Sequence, residues 1–115
     1  MKEFLMIFRN AALPEGKYSP EEMQNIMKQW ENWMGGIAAQ NKLVSVGSRL
    51  GIEGVTIKSG NVITNGPYPE LKEIVGGYTL IKADSLEDAT EIAKDCPILN
   101  VGGSVELRVQ IPMNG

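Results

Sequence analysis

The chain contains 115 residues, of which 43% are hydrophobic and 22% are charged, which indicates one globular domain over residues 1–115 and excludes disordered, collagen-like and repeat architectures. Eleven basic against fourteen acidic residues give a net charge of −3, which argues against direct binding of nucleic acid. The sequence has no histidine and cannot supply a Ser-His-Asp triad, a Cys-His pair or the usual catalytic zinc site. Clustered carboxylates with the spacing of a hard-cation site are also absent, so we expect no metal, and we expect no cofactor.

The single cysteine and the N-terminal segment bear on the cellular compartment. Cys96 has no second cysteine with which to form an internal disulfide, and the first residues lack the basic segment, apolar run and cleavage site of a secretory signal. The longest apolar run near the start, Phe4 to Phe8, is far shorter than the about 20 residues of a membrane-spanning helix. We therefore expect a cytoplasmic protein with no membrane contact.

The first third of the chain predicts a strand, a loop and a long helix. Phe4 to Phe8 is unbroken and apolar, which is typical of a central strand covered on both faces. Residues 10–18 contain proline and glycine without periodicity and indicate a loop. Ser19 is an N-cap, followed by proline and by an acid three residues later, so a helix begins there and extends to about Gln40. Its apolar stripe consists of Met23, Ile26, Met27, Trp30, Trp33, Met34 and Ile37.

Two features of this helix concern its packing. We expect the tryptophans of the stripe to lie in the core rather than to form a stacking platform. The methionines either lie in the core, which is the first expectation, or line a cavity or an adaptable partner surface. Gly35 and Gly36 each cost about 1 kcal/mol inside a helix, so either they allow close backbone packing or the helix bends at that point.

The middle of the chain predicts a second strand, a hairpin and a loop. Residues 43–47 form the strand, and residues 55–58 and 61–64 form the two arms of the hairpin, with its turn at Ser59-Gly60. Glycine and two prolines follow within a few residues, so Asn65 to Val75 is expected to be an ordered loop or a short helical turn rather than a strand.

The last third predicts a strand, a short helix and a final strand. Residues 77–83 form the strand, and Ser85 is the N-cap of a helix that ends before Pro97. Its inward residues are Leu86, Ala89, Ile92, Ala93 and Cys96. Residues 104–111 alternate apolar with polar residues, so one face of the final strand, bearing Glu106, Arg108 and Gln110, is polar.

The element order is β-α-β, a hairpin, and again β-α-β, which predicts a ferredoxin-like α+β fold. Two helices cover one face of a four-stranded sheet, whereas the first strand is apolar on both sides. A second copy of the same sheet would cover the other face, which predicts a homodimer. A buried pocket or a loop folded over the sheet would also explain the pattern.

Several ordered motifs resemble the YCII-related (DGPF-domain) family. The stretch from Asn65-Gly66-Pro67-Tyr68 to Gly76-Gly77-Tyr78 is similar to the family's Asp-Gly-Pro-Phe signature and the Gly-Gly segment that follows. Further similar segments are Gly47-Ser48-Arg49-Leu50, Leu86-Glu87-Asp88-Ala89, Cys96-Pro97 and Gly103-Ser104-Val105-Glu106-Leu107-Arg108. The resemblance covers about residues 3–111 and implies a dimeric α+β barrel in which two ferredoxin-like sheets pack together.

The family resemblance implies two kinds of function. Some members look like small enzymes with a proposed His-Asp pair, and some bacterial members are linked to transcription initiation through extracytoplasmic-function sigma factors. This sequence departs from the signature, since Asn65 replaces the aspartate, Tyr68 replaces the phenylalanine, and no histidine is present. An amide cannot accept a proton at neutral pH, so binding is expected to survive better than acid-base catalysis.

The loop after the hairpin provides three candidate ligand-binding residues. Asn65 either lines a cleft or forms a turn with Gly66, because asparagine tolerates left-handed backbone. Tyr68 either presents its hydroxyl to a ligand or packs over a sheet edge. Lys72 either contributes a charge to the site or lies at the surface, where it and the adjacent Glu73 are two solvated charges or one surface pair.

Three further candidates lie on or beside strands. Tyr78 either fills the core with its hydroxyl bonded, which is the first expectation, or lines a pocket. Arg9 and Arg49 follow the first and second strands and either converge at one end of the sheet to bind an anion or lie in solvent. Cys96 is expected to be a structural thiol, because it lies near a helix C-terminus, where the dipole disfavours a thiolate.

Two functions from different classes fit the sequence. The favoured hypothesis is a dimeric module that binds a small ligand or regulates another protein, with a sigma-factor-linked partner as one version. The alternative is an enzyme acting on a small aromatic or anionic molecule, with Tyr68, Tyr78 and Lys72 in place of histidine. A group that titrates near neutral pH inside a cleft would favour the enzyme.

Overall fold

The computed structural model describes residues 1–10, 18–66 and 74–113. Within these ranges, six strands, two α-helices and one 3₁₀ turn follow one another. In chain order the elements are β1 (Lys2–Asn10), α1 (Pro20–Ala39), β2 (Leu43–Arg49), β3 (Val55–Lys58), β4 (Val62–Asn65), β5 (Ile74–Ala83), α2 (Leu86–Ala93), the 3₁₀ turn (Pro97–Val101) and β6 (Ser104–Val109).

Four of the strands form an antiparallel sheet in the order β2-β5-β1-β6. The two central strands, β1 and β5, are the longest of the sheet. Strands β2 and β6, which follow α1 and α2 along the chain, lie at its edges. This order and the two helices are those of a ferredoxin-like α+β fold, which confirms the fold class expected from the element order. Strands β3 and β4 form a separate two-stranded sheet.

The core lies between one face of the sheet and the two helices. Phe4, Met6 and Phe8 of β1 point to this side and are buried, and Ile81 of β5 lies beside them. The neighbours Leu5 and Ile7 are only half-buried, and they lie on the other face of the sheet. Among the described elements the helices cover one face of β1 alone, and a second copy of the sheet as the cover of the other face stays a prediction.

Helix α1 begins as predicted, but its first half extends beyond the core. Ser19 and Glu22 form a capping box, in which each side chain accepts the backbone N–H of the other residue. Met23 and Met27 are exposed, which corrects their expected place in the core. Twenty residues of helix span about 30 Å, and the core contacts lie in the second half, where Ile37 is buried and Trp30 and Trp33 pack against the core.

The aromatic residues of α1 pack against the sheet as expected. Trp30 and Trp33 meet Phe8 edge to face, with ring centroids 5.1 and 6.1 Å from it, and the Trp33 indole N–H donates to the carbonyl of Ile92. The helix remains continuous through Gly35 and Gly36, and a Cβ at either position would meet no described atom within 4 Å. Close backbone packing therefore does not account for these two glycines.

Helix α2 and the 3₁₀ turn close the other end of the core. Ser85 caps α2 by accepting the backbone N–H of Asp88, and Ala89, Ala93 and Cys96 are buried as predicted. Leu86 was expected to point inward, but it is 52% exposed because it lies in the first turn, at the margin of the helix-sheet contact. The 3₁₀ turn after Cys96 was not predicted, and its Ile98 is buried.

Strand boundaries differ from the sequence prediction around the expected loop. The turn of the β3–β4 hairpin lies where predicted, with Gly60 and Asn61 at positive φ. Asn65, however, is the last residue of β4 and pairs with Val55, and β5 begins at Ile74, whose side chain is buried. The loop assigned to residues 65–75 is therefore too long at both ends, because it includes residues of two strands, and the remainder, residues 67–73, lies outside the described residues.

Candidate ligand-binding face

The face of the four-stranded sheet opposite the helices, called here the open face, has an apolar centre. The register pairs Leu5 with Leu80 and Ile7 with Tyr78 across the two central strands, so these four side chains share one face. Leu5, Ile7 and Leu80 are half-buried, and Tyr78 is 38% exposed. No described element of this chain covers them, so the centre of the open face is apolar and accessible in a single protomer.

One border of the open face, along β6, carries charged side chains. The register places Glu106 opposite Ile7 and Arg108 opposite Leu5. Arg9 lies on β1 diagonally from Glu106, and its Nε donates to Glu106 Oε1 at 3.3 Å. Arg108 Nη1 donates to the other oxygen, Oε2, at 3.2 Å. Glu106 is thus shared between two guanidinium groups, and the cluster carries a net charge of +1.

The shared carboxylate has its charge fixed by its neighbours. The hydrogen bond from Arg108 is the largest cause that lowers the pKa of Glu106, and the charge of Arg9 acts in the same direction. Glu106 therefore remains ionised near neutral pH. Its chemical contribution is to hold the two guanidinium groups beside the apolar centre rather than to exchange a proton.

The opposite border of the open face, along β2, carries hydroxyl groups. Ser45 pairs with Leu80 and Ser48 pairs with Tyr78, and both serines are exposed. Between them the strand is irregular at Gly47, which has a φ of 73°. A Cβ at Gly47 would overlap with the backbone carbonyl of Tyr78, so only glycine allows β2 to approach β5 this closely.

A buried hydrogen bond fixes the same irregular part of the sheet. The hydroxyl of Thr79, which is 1% exposed, donates to the backbone carbonyl of Val46 at 2.9 Å. The bond compensates for ladder hydrogen bonds that the bulge removes, and it ties β2 to the residue next to Tyr78. Tyr78 is therefore held on the open face by both neighbouring strands, since it pairs with Ile7 of β1 and the adjacent Thr79 bonds to β2.

The structure places Tyr78 on the open face, so its first expected location, the core, is wrong. The register explains this result, because Tyr78 pairs with Ile7, whose side chain lies opposite the helix-covered side. The second expectation, that Tyr78 lines a site, agrees with its exposure but is not tested by it.

Arg9 and Arg49 lie at the same end of the sheet but not in the same row. Arg49 pairs with Gly77, which in turn pairs with Phe8, the last buried residue of β1. Arg9 is one residue further along and pairs with Val75 and Ser104. Strand β5 lies between the two arginines, so their backbones are about 10 Å apart across the sheet. The described contacts join Arg9 to Glu106, not to Arg49.

The three candidates around the signature motif have separate outcomes. Asn65 is exposed at the end of β4, away from the four-stranded sheet's ladder. Tyr68 and Lys72 lie outside the described residues. Glu106 and Arg108 were not named as site residues, although the polar alternation of the last strand predicted that they share one face.

Cys96, the single cysteine, lies in the core and not on the open face. Cys96 is 1% exposed, and its burial raises the pKa of the thiol to about 11, which confirms the expectation of a structural thiol.

Among the residues that the structure describes, no group of three His, Cys, Asp or Glu side chains is arranged to hold a metal ion. None of the described helices has the length and apolar character needed to cross a bilayer.

Comparison with known proteins identifies the family. The family model of the YCII-related domain matches residues 4–114, nearly the whole chain. The chain belongs to the YCII-related family. A search of curated proteins finds no match to this YCII-related chain.

Among solved structures, the YCII-related chain is similar to the 5-chloro-2-hydroxyhydroquinone dehydrochlorinase TftG from Burkholderia phenoliruptrix AC1100 in complex with 2,5-dihydroxybenzoquinone. The sequence identity is 14%, the TM-score is 0.49, and the match covers 95% of this chain and 93% of that chain. A likeness at this level assigns no activity to the YCII-related chain.

Proposed function

We propose that this YCII-related protein is a homodimeric module that binds a small anionic ligand with an apolar body, in the space between two facing open faces. The observation that carries the proposal is the arrangement of the open face. Its apolar centre of Leu5, Ile7 and Leu80 adjoins the cluster in which Glu106 holds Arg9 and Arg108.

The need for a second copy follows from the two-layer arrangement, in which the described helices cover one face of the sheet. An antiparallel sheet with one face on the core normally presents polar residues on the other face, but here both central strands present aliphatic side chains. The shortest dimension of the molecule is 19 Å, which accommodates the sheet and one layer of helices about 10 Å away but no third layer. A twofold-related sheet supplies the missing layer with a matching apolar surface.

The ligand chemistry follows from the charges at the border of the open face. Arg108 donates one N–H to the shared carboxylate and is exposed, so its guanidinium keeps further donors for an incoming anion. The neighbouring aliphatic residues and Tyr78 provide a surface for an apolar or aromatic body. A carboxylate attached to a ring or a short hydrocarbon chain fits both parts of this surface.

The geometry favours binding over proton transfer at this cluster. The pKa of Glu106 is lowered, so at neutral pH the carboxylate is ionised, has no proton to donate and is a weak proton acceptor. An arginine keeps its proton throughout the accessible pH range. These fixed charges are suited to recognising an anion.

Binding of benzoate and of its neutral analogue benzyl alcohol, measured by calorimetry, tests the proposal. Arg108→Gln is expected to weaken benzoate binding by about tenfold and to leave benzyl alcohol binding nearly unchanged, because only the carboxylate uses the guanidinium. Lys94→Gln is the matched control, since Lys94 also forms an exposed ion pair, with Glu91, but lies on the helix side. Equal losses in both variants, or no preference for benzoate over the alcohol, would contradict the proposal.

A second candidate function is an enzyme that acts on a small aromatic or anionic molecule. The observation that favours it is the partly exposed Tyr78 on the same face as the arginine cluster. Turnover of such a substrate that is lost in Tyr78→Phe while binding is retained would support this function. A sigma-factor-linked role rests on the family resemblance alone, and its test is copurification of a sigma factor at low salt.

A further inference from the structure

The hairpin of β3 and β4 has one apolar face and one mixed face. The register pairs Ile57 with Ile63 and Val55 with Asn65, so these four residues share a face, called here the hairpin face. Val55, Ile57 and Ile63 are 60%, 66% and 62% exposed. The opposite face carries two threonine side chains, Lys58 and Val62. The hairpin is therefore amphipathic, with its apolar side uncovered.

An isolated hairpin of this size is marginally stable in water, because two short strands bury little surface. Each strand has four residues, and the described elements of the four-stranded sheet and the helices make only sparse contacts with them. Three exposed aliphatic side chains on one face are not explained by scattered surface hydrophobicity. The hairpin face is thus arranged to pack against another surface.

The dimensions of the molecule indicate that the described sheet and helices do not provide this surface. The molecule measures 45 by 41 by 19 Å, and its radius of gyration of 15.8 Å exceeds the about 13 Å of a compact domain of this length. A hairpin folded over the helices or over the open face would add a third layer and thickness beyond 19 Å. Since the described sheet and helices make only sparse contacts with the hairpin, we place it beside these two layers rather than on top of either one.

The base of the hairpin is tied to the open-face strands. The backbone N–H of Leu50, the first residue after β2, donates to the carbonyl of Gly76 in β5 at 2.9 Å. The N–H of Gly66, directly after β4, donates to the carbonyl of Gly54 and closes the hairpin. The arm therefore begins at the border of the open face, where a second sheet packed on that face would end.

We propose that the hairpin face packs against the second copy of the chain, so that each protomer holds the other with a reciprocal arm. The inference rests on the homodimer of the proposed function and extends it to a second interface element. A twofold axis makes the contact isologous, so two hairpin faces are covered at once. Asn65 shares the hairpin face and becomes an interface residue, which gives its amide a role at the contact between protomers.

The test compares Ile63→Asp with Val62→Asp in sedimentation velocity over a range of protein concentrations. The two positions are adjacent in β4, both are β-branched, and they are 62% and 52% exposed, but they lie on opposite faces of the hairpin. Ile63→Asp is expected to raise the dimer dissociation constant by about tenfold or more, and Val62→Asp by less than about threefold. Equal effects, or no effect of Ile63→Asp, would overturn the inference.

The outcomes separate the arm from the dimer itself. A wild-type chain that is monomeric overturns both the homodimer and the arm, whereas a wild-type dimer that Ile63→Asp leaves intact overturns the arm alone. Near-UV circular dichroism of the tryptophans checks that the variants keep the folded body. Hydrogen exchange gives a second measurement, because the β3 and β4 amides are expected to lose protection on dilution below the dissociation constant, and unchanged protection contradicts the arm.

Discussion

Cys96 shows how the surroundings of one residue decide its chemistry. It lies at the junction of α2 and the 3₁₀ turn, is 1% exposed, and has a pKa raised to about 11 by burial. The sequence predicted a structural thiol from its position near a helix end and before Pro97. Burial, which the sequence indicated only through the inward spacing of α2, supplies the larger physical cause.

The thiol makes the stability of the fold depend on alkaline pH. Its pKa is about 11 when folded against an ordinary 9.0 when unfolded, so its contribution is complete below pH 9 and is lost as the pH rises to about 11. The loss is about 2–3 kcal/mol for a shift of this size. In urea denaturation, the free energy of unfolding of the wild type is expected to be lower near pH 10.5 than near pH 8. The part of this decrease that is due to the thiol is expected to be missing in Cys96→Ala. Parallel pH profiles for the two proteins would contradict it.

The charged cluster of the open face was only partly predictable from individual residues. The alternation of β6 placed Glu106 and Arg108 on one polar face, and Arg9 was singled out because it follows the first strand. Their meeting depends on the pairing of β1 with β6, which joins residues 97 positions apart. Local patterns do not encode such a register, so the sequence left open whether Arg9 meets Arg49 or lies in solvent, and it did not predict the contact with Glu106.

At the scale of elements, the capping residues were the most reliable signals. Ser19 and Ser85 begin the two helices where predicted, because each side chain satisfies a backbone N–H that the helix itself leaves without a partner. The apolar stripe of α1 was less informative. Periodicity shows which side of a helix is apolar, but not how far the sheet beneath it extends, so the exposed Met23 and Met27 were assigned to the core.

The two glycines of α1 allow a direct test of helix energetics. A Cβ at Gly35 would contact no described atom, and the residue is exposed inside a continuous helix. Gly35→Ala is therefore expected to raise the free energy of unfolding by about 0.5–1 kcal/mol, measured by urea denaturation. The contrasting control is Gly47→Ala, where φ is 73° and a Cβ would overlap with the carbonyl of Tyr78, so a clear loss of stability is expected. A destabilised Gly35→Ala variant would show that this helix position is strained.

At the scale of the whole molecule, the sequence predicted the element order and the ferredoxin-like arrangement, and the family resemblance agrees with both. The exposure of the hairpin was not predictable. Its residues have the composition of an ordinary hairpin, and only the structure shows that its apolar face is left uncovered by the described elements. The apolar pattern of the first strand predicted that a second copy covers the open face, but which other surfaces meet between two chains depends on how the folded elements are placed.

The central claim is that the open face is completed by a second copy of the chain. Sedimentation equilibrium of the unmodified protein at about 10 μM tests this claim most directly. The account predicts a species of twice the 12.6 kDa chain mass that dissociates on dilution. A stable species of 12.6 kDa at that concentration, with the open face of the sheet in contact with solvent, would contradict it.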